Sequence, residues 1–373
     1  MNSVALDTDI DRRLPRSLRS QAMSTQPREF SSRSDALREI PRPRIAWADA
    51  ARGLAICLVV LYHATNWTAG TGYDVSVLRE FNEPLRSLRM PLFFTVAGMF
   101  AAKWVAASWS TLLRGKIFYF AWVFVLWEPI TLVVRLVTGY YKVPDADWST
   151  LTGDLAWSLL IPRSELWFIW TLAAFFLAAR LLRPLPAWVQ ILAAAGVSAW
   201  ALAGWEPESI AYRGAAQFIV FFLVGLHLRP FVEEYAARLR WWTGLLVVGA
   251  WYGVTWLVQA YGLEPVPGAY LLANVVGSMA GIAISVALAR LVPGLGWVGA
   301  RTLPVYVTHT PLIHTILWVY WSNGIWVPVP QSQWMPLFMA MTIVATALAL
   351  DAATRRIGLG WIWGPPRRWL ATP

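Results

Sequence analysis

The sequence predicts an all-α, polytopic integral membrane protein of about ten transmembrane helices with both termini in the cytoplasm. Three observations carry that expectation. Of 373 residues, 57% are hydrophobic and only 14% charged, outside the range of soluble globular chains. Apolar windows of helix-spanning length recur along the chain, and the basic residues follow the parity of the connections between them.

The windows fall at 48–67, 90–107, 117–138, 165–182, 187–204, 213–228, 242–262, 268–291, 303–321 and 334–352, those beginning at 90, 165 and 213 being short or interrupted. Even-numbered connections and the C-terminal segment hold Lys103, Arg114, Lys116, Arg180, Arg183, Arg229, Arg238, Arg240, Arg290, Arg301, Arg355, Arg356, Arg367 and Arg368. Odd-numbered connections hold Arg79, Arg86, Arg89, Lys142, Arg163 and Arg213, diluted by acids such as Asp74, Glu80, Asp147 and Glu208. This is the positive-inside pattern, so the net charge of +10 is accounted for by topology, and the expected partner is the lipid bilayer with no nucleic acid. Residues 1–46 mix Arg, Ser, Pro and Asp without an apolar segment and read as a disordered basic cytoplasmic tail, with Met23 as an alternative start. The transmembrane domain is expected at 47–352 and a cytoplasmic C-terminal tail at 353–373. Tryptophans cluster near the window ends, as interfacial belts do, and the single cysteine, Cys57, reads as packing.

The first window, "AWADAARGLAICLVVLYHATNW", carries Asp49, Arg52 and His63 inside an otherwise apolar helix. A charged side chain at the centre of a bilayer helix costs roughly 2.5 to 3.5 kcal/mol, so such residues face a cavity or a partner. At about 100° per residue Arg52 and His63 project within roughly 20° of each other, and Asp49 lies about 40° from His63, on one face. The rise of the helix sets Arg52 and His63 about 16 Å apart along the axis.

The stretch "RIAWADAARGLAICLVVLYH" resembles the first-span signature of the membrane-bound acyltransferase 3 family, in which an Arg, ten intervening residues and a His recur on the first helix. "RMPLFFTVAGMF" from Arg89, "ELWFIWTLAAFF" from Glu165 and "TLPVYVTHTPLIH" from Thr302 resemble later family stretches in the same chain order. The resemblance covers about residues 44 to 350 and is nearest the branch similar to fucose 4-O-acetylases. It departs from the family at Ala97, where a Ser is frequent, and at Arg89, where a His is frequent, so no serine nucleophile stands there.

The resemblance implies an O-acyltransferase of the cell membrane that moves an acyl group, commonly acetyl, from cytoplasmic acyl-CoA to a hydroxyl of a surface or exported glycan or glycolipid. Acyl-CoA is then a co-substrate, with no cofactor held and no metal required. Succinyl transfer is the variant within that class, with Arg89 as the cation for the extra carboxylate; a transporter or flippase for a lipid-linked sugar and a non-catalytic membrane partner in an export complex are the alternatives outside it. Within the implied chemistry His63 is the general base, because imidazole titrates near neutral pH. Arg52 either holds the CoA phosphates or pantetheine or snorkels to the headgroups, and Asp49 either orients Arg52 or caps the helix. His309 sits between Pro304 and Pro311, where the span should be kinked beside a cavity, and serves as oxyanion donor or ligand of the acceptor hydroxyl. Glu128, with Arg135 one face along the third span, is either a cavity-lining, substrate-binding pair or an interhelical contact. His314 and His227 read as interfacial.

The loop charges place the connection from Asp145 to Asp154 outside the cell. Cysteines introduced there should react with a membrane-impermeant maleimide added to intact cells; labelling only after the membrane is opened would invert the topology.

Overall fold

The computed structural model describes residues 45–140, 145–329 and 331–373, the side chain of Arg367 excepted. The expected tail up to residue 44, Met23 and Lys142 lie outside the described residues. The regular secondary structure of the described residues is entirely helical, with no strand among them. In chain order the helices are α1 (Ala46–Gly70), α2 (Ser76–Met99), α3 (Ala102–Ala106), α4 (Trp109–Leu112), α5 (Phe118–Val137), α6 (Trp148–Ser158), α7 (Trp167–Leu181), α8 (Ala187–Leu202), α9 (Ile210–His227), α10 (Arg229–Arg238), α11 (Trp241–Ala260), α12 (Ala269–Leu291), α13 (Pro293–Gly299), α14 (Thr302–Ser322) and α15 (Met335–Arg356). Among the described residues six helical stretches are long and apolar enough to cross a membrane: α1, Trp109–Val137, α9, α11, α12 and Gln331–Arg356. Helices α7 and α8 are apolar but shorter, and α2 and α14 are as long as spans yet more polar, which together match the ten expected windows.

Helix α1 is the axis of the bundle, packed against α2, α12, α13, α14 and α15. Of its most apolar stretch 61% is buried inside the protein, against 17% for α11 at the periphery. Its first half is rich in small residues, and Ala48, Ala50, Ala51 and Ala55 are fully buried, which lets neighbouring backbones come close. Ile45 enters α1 in an extended conformation without a side-chain cap, and Asp49 lies in the first turn, where the helix dipole favours an acid.

Helix α2 corrects the second expected window. It begins at Ser76, fourteen residues before the window at 90, and ends at Met99, the remainder forming α3. Hydropathy reads its first half as a loop because of Arg79, Glu80, Asn82, Glu83, Arg86 and Ser87; the four charged side chains are exposed, while Asn82, Ser87 and the following Arg89 are buried on the face toward α1 and its neighbours. In a bundle a polar helix is tolerated when protein, not lipid, surrounds it. Between α4 and α5 the chain makes a π-helical turn, Leu113–Ile117, without leaving the span. At the α6 end, Asp147 caps α6 through the Thr150 and Ser149 amides, and the bond from Thr150 leads the causes that hold its carboxyl down at about 2. Beyond α15 the chain turns back onto α5: Trp363 stacks on Trp127 at 5.2 Å, and its carbonyl accepts the Tyr119 hydroxyl.

The α2–α9 crossing depends on two glycines. A Cβ on Gly98 would stand 2.0 Å from the Phe222 carbonyl oxygen, and one on Gly225 would stand 2.0 Å from that of Thr95. Both obstacles are backbone, so neither yields by rotating a side chain. Gly225→Ala should therefore cost at least about 1 to 3 kcal/mol and lower the unfolding midpoint of the detergent-purified protein. Gly249→Ala on α11, where nothing lies within 4 Å, is the control and should not lower the midpoint, since alanine is the better helix former.

Candidate active site

The polar face of α1 meets α14 at a pair of histidines. His63 and His309 have ring centroids 5.1 Å apart with planes inclined at 51°. His309 is 1% exposed and tethered at both nitrogens: Nδ1 lies 2.5 Å from the Tyr306 carbonyl oxygen and Nε2 lies 3.2 Å from Thr310 Oγ1. A carbonyl cannot donate, so Nδ1 carries a proton and donates it to the Tyr306 oxygen. His63 by contrast is only half-buried and opens onto a cavity. Helix α14 runs unbroken through Pro311.

Tyr306, one turn before His309, fixes α14 to the segment that opens α7. Its hydroxyl donates to the Glu165 carbonyl and accepts from the Phe168 amide at 3.2 Å. The same segment is held from α5, where Arg135 pairs with the Glu165 carboxylate and Glu128 accepts the Ser164 hydroxyl at 2.5 Å. Of the two readings of Glu128 and Arg135, the geometry shows interhelical contacts; neither residue is among those lining the cavity.

The cavity measures about 420 Å³, the size of a small-molecule site. Its walls come from α1 (Ile56, Val59, Tyr62, His63), α2 (Arg86, Arg89, Met90, Phe93), α7 with its lead-in (Glu165, Trp167, Phe168), α9 with its lead-in (Glu206, Ile210, Arg213, Gln217) and Tyr306 of α14. It extends from the α6 end, where Glu206 and Arg213 lie, inward past His63. Arg89 is buried beside His63, with its guanidinium 4.2 Å from the Tyr62 ring centroid and Nη1 3.2 Å from Asn82 Oδ1.

Asp49 and Arg52 form a salt bridge at the opposite end of α1 and do not line this cavity. The N-cap is Ile45, so Asp49 pairs rather than caps. Arg52 lies 5.3 Å from the Phe100 ring centroid, on a ring also approached by Arg229 at 5.5 Å, and close by Lys103 and Lys116 approach Trp104 at 5.5 and 5.2 Å. His314 is corrected from interfacial to fully buried, between Trp67 at 4.4 Å and Tyr140 at 4.8 Å, because those rings cover the face of α14 it occupies. His227 contacts Gln190 at 2.9 Å, and Cys57 faces an apolar groove against α15, away from His63. Sequence reasoning passed over Tyr306, Glu165, Arg86, Arg213 and Gln217. The first two stand inside the stretches that drew notice, Tyr306 one turn from His309; Arg86 and Arg213 count among the connection charges, and Gln217 is a lone amide inside the window 213–228.

A family model described as an acyltransferase domain, acyltransferase 3, matches residues 45–353. The chain is also similar to the inner membrane protein YcfT of Escherichia coli (strain K12), 25% identical over 153 residues, which cover 36% of this chain and 43% of that protein. The chain thus matches less than half the length of this curated relative. No solved structure matches.

The Tyr306 hydroxyl sets the position of the histidine pair against α7. Tyr306→Phe leaves the Phe168 amide without its acceptor and should cost about 1 to 3 kcal/mol, measured as a lower unfolding midpoint than wild type. An unchanged midpoint would mean that α14 and α7 are held by packing alone.

Proposed function

The chain belongs to the acyltransferase 3 family, and on that premise we propose that it is an O-acyltransferase of the inner membrane. It moves an acyl group, acetyl in the first instance, from cytoplasmic acyl-CoA to a hydroxyl of a surface or exported glycan or glycolipid. The observation that supports this reading is His63, an imidazole open to a cavity of ligand size and backed by a second, tethered histidine. Similarity to a protein named for the inner membrane supports the location.

In this reaction the acceptor hydroxyl loses its proton to His63 as its oxygen forms a bond to the thioester carbonyl carbon. The tetrahedral intermediate collapses with cleavage of the carbon–sulfur bond, and the imidazolium returns the proton to the CoA sulfur. His309, fixed by the Tyr306 carbonyl, packs against the His63 ring and positions it. The acceptor enters from the α6 end, which the loop charges assign to the outside. The donor enters from the α10 end, where Asp49 orients Arg52 toward the CoA phosphates. The helix rise places Arg52 about 16 Å from His63, the scale of a pantetheine arm.

His63→Gln should insert and fold normally, since Gln is polar and of similar reach, while CoA release falls by about two to four orders of magnitude. Wild-type turnover should decline as pH falls through the titration of His63, because only the neutral ring accepts a proton. A packing role predicts the opposite pattern, with the unfolding midpoint lowered and turnover per folded molecule kept. A sugar flippase would release no CoA at any pH.

A further inference from the structure

Arg89 is a buried cation without a counter-ion. It is 4% exposed, lies in the wall of the cavity next to Tyr62 and His63, and among the described residues no carboxylate comes within ion-pair distance of it. The two acids that share the cavity wall are engaged elsewhere: Glu165 with Arg135, Glu206 with Arg213. Arg89 is nonetheless held in place. Asn82 Oδ1 accepts from its Nη1, and the Asn82 amide itself donates to Thr65 Oγ1 at 3.1 Å and to the Leu78 carbonyl at 2.9 Å, tying the group to α1 and α2. A second arginine, Arg86, lies one turn away along the same wall, with its guanidinium 5.3 Å from the Tyr270 ring centroid.

A desolvated, preorganised guanidinium with no protein anion is suited to an anion that arrives with the ligand. We propose that Arg89 is a substrate-binding residue for a carboxylate, which anchors the reacting molecule so that its reactive group stands at His63. This rests on the reading of the cavity as the site of acyl transfer. The carboxylate belongs either to an acidic sugar in the acceptor or to the far end of a dicarboxylic acyl group on the donor. A single buried guanidinium, with its planar pair of N–H groups, matches one carboxylate in either case.

The test uses the full chain purified in detergent and two matched pairs of ligands: methyl β-D-glucuronide against methyl β-D-glucoside, and succinyl-CoA against acetyl-CoA. The acidic member of one pair should raise the unfolding midpoint more than its neutral partner at equal concentration. A response to the glucuronide places the carboxylate on the acceptor; a response to succinyl-CoA places it on the acyl group. Arg89→Gln should lower affinity for the acidic ligand by about tenfold or more and abolish the preference. Without ligand, this variant should unfold no lower than wild type, since it removes an unpaired buried charge. Arg89→Lys keeps the charge and should weaken the preference without abolishing it. Equal responses to acidic and neutral members of both pairs, or an unaltered preference in either folded variant, would overturn the proposal. Release of free CoA is measured separately, so that carboxylate-selective binding without any CoA release would remove the acyl-transfer reading and leave the anion site standing.

Discussion

Polar groups inside an apolar bundle must find their partners within the protein, and the polar face of α1 imposes that constraint on every helix around it. Lipid offers no hydrogen bonds, so Asp49, Arg52 and His63 would each be costly on an isolated helix. The protein answers by making α1 its most enclosed span and by bringing polar helices against it. Helix α2 supplies Asn82 and Arg89, and α14 supplies His309 and Thr310. Small residues and paired glycines then allow the close approach that keeps those contacts dry, as at the α2–α9 crossing.

The cavity is therefore a consequence of the packing as well as a place for chemistry. Most of its polar wall is neutralised within the protein, through Arg135 with Glu165, Arg213 with Glu206 and Tyr306 with the start of α7. Arg89 and the open edge of His63 are exceptions, as is Arg86, which meets only the Tyr270 ring. Stability alone would not retain a buried guanidinium lacking an anion, because truncating an unpaired buried charge relieves its desolvation. Residues that disturb an otherwise satisfied interior are where binding and catalysis are expected, since function is commonly kept at a cost in stability.

Much of this arrangement is legible in the sequence. Each of the ten apolar windows overlaps a helix, and among the described residues six helical stretches are long and apolar enough to cross a bilayer, since hydrophobic length follows from bilayer thickness. Asp49 and Arg52 pair as their spacing of three suggests, since such neighbours share a helix face whatever the rest of the fold does. That His63 and His309 touch is a tertiary fact, and only the likeness of their two stretches to one family brings them together beforehand. The first half of α2 escapes notice because hydropathy cannot distinguish a polar loop from a helix with one face buried in protein and the other, carrying Arg79, Glu80, Glu83 and Arg86, exposed. His314 escapes because helical angle alone sets it off the His309 face, while the rings that bury it, Trp67 and Tyr140, come from distant parts of the chain.

The central claim is that the cavity at His63 is where a hydroxyl of an exported glycan or glycolipid receives an acyl group. The most direct measurement is mass spectrometry of surface glycans and glycolipids from cells lacking the protein, beside the same cells carrying either the wild-type chain or His63→Gln. The account predicts that one ester-linked acyl group disappears with the protein, returns with the wild-type chain and stays absent with the variant. Identical acylation in all three would contradict it.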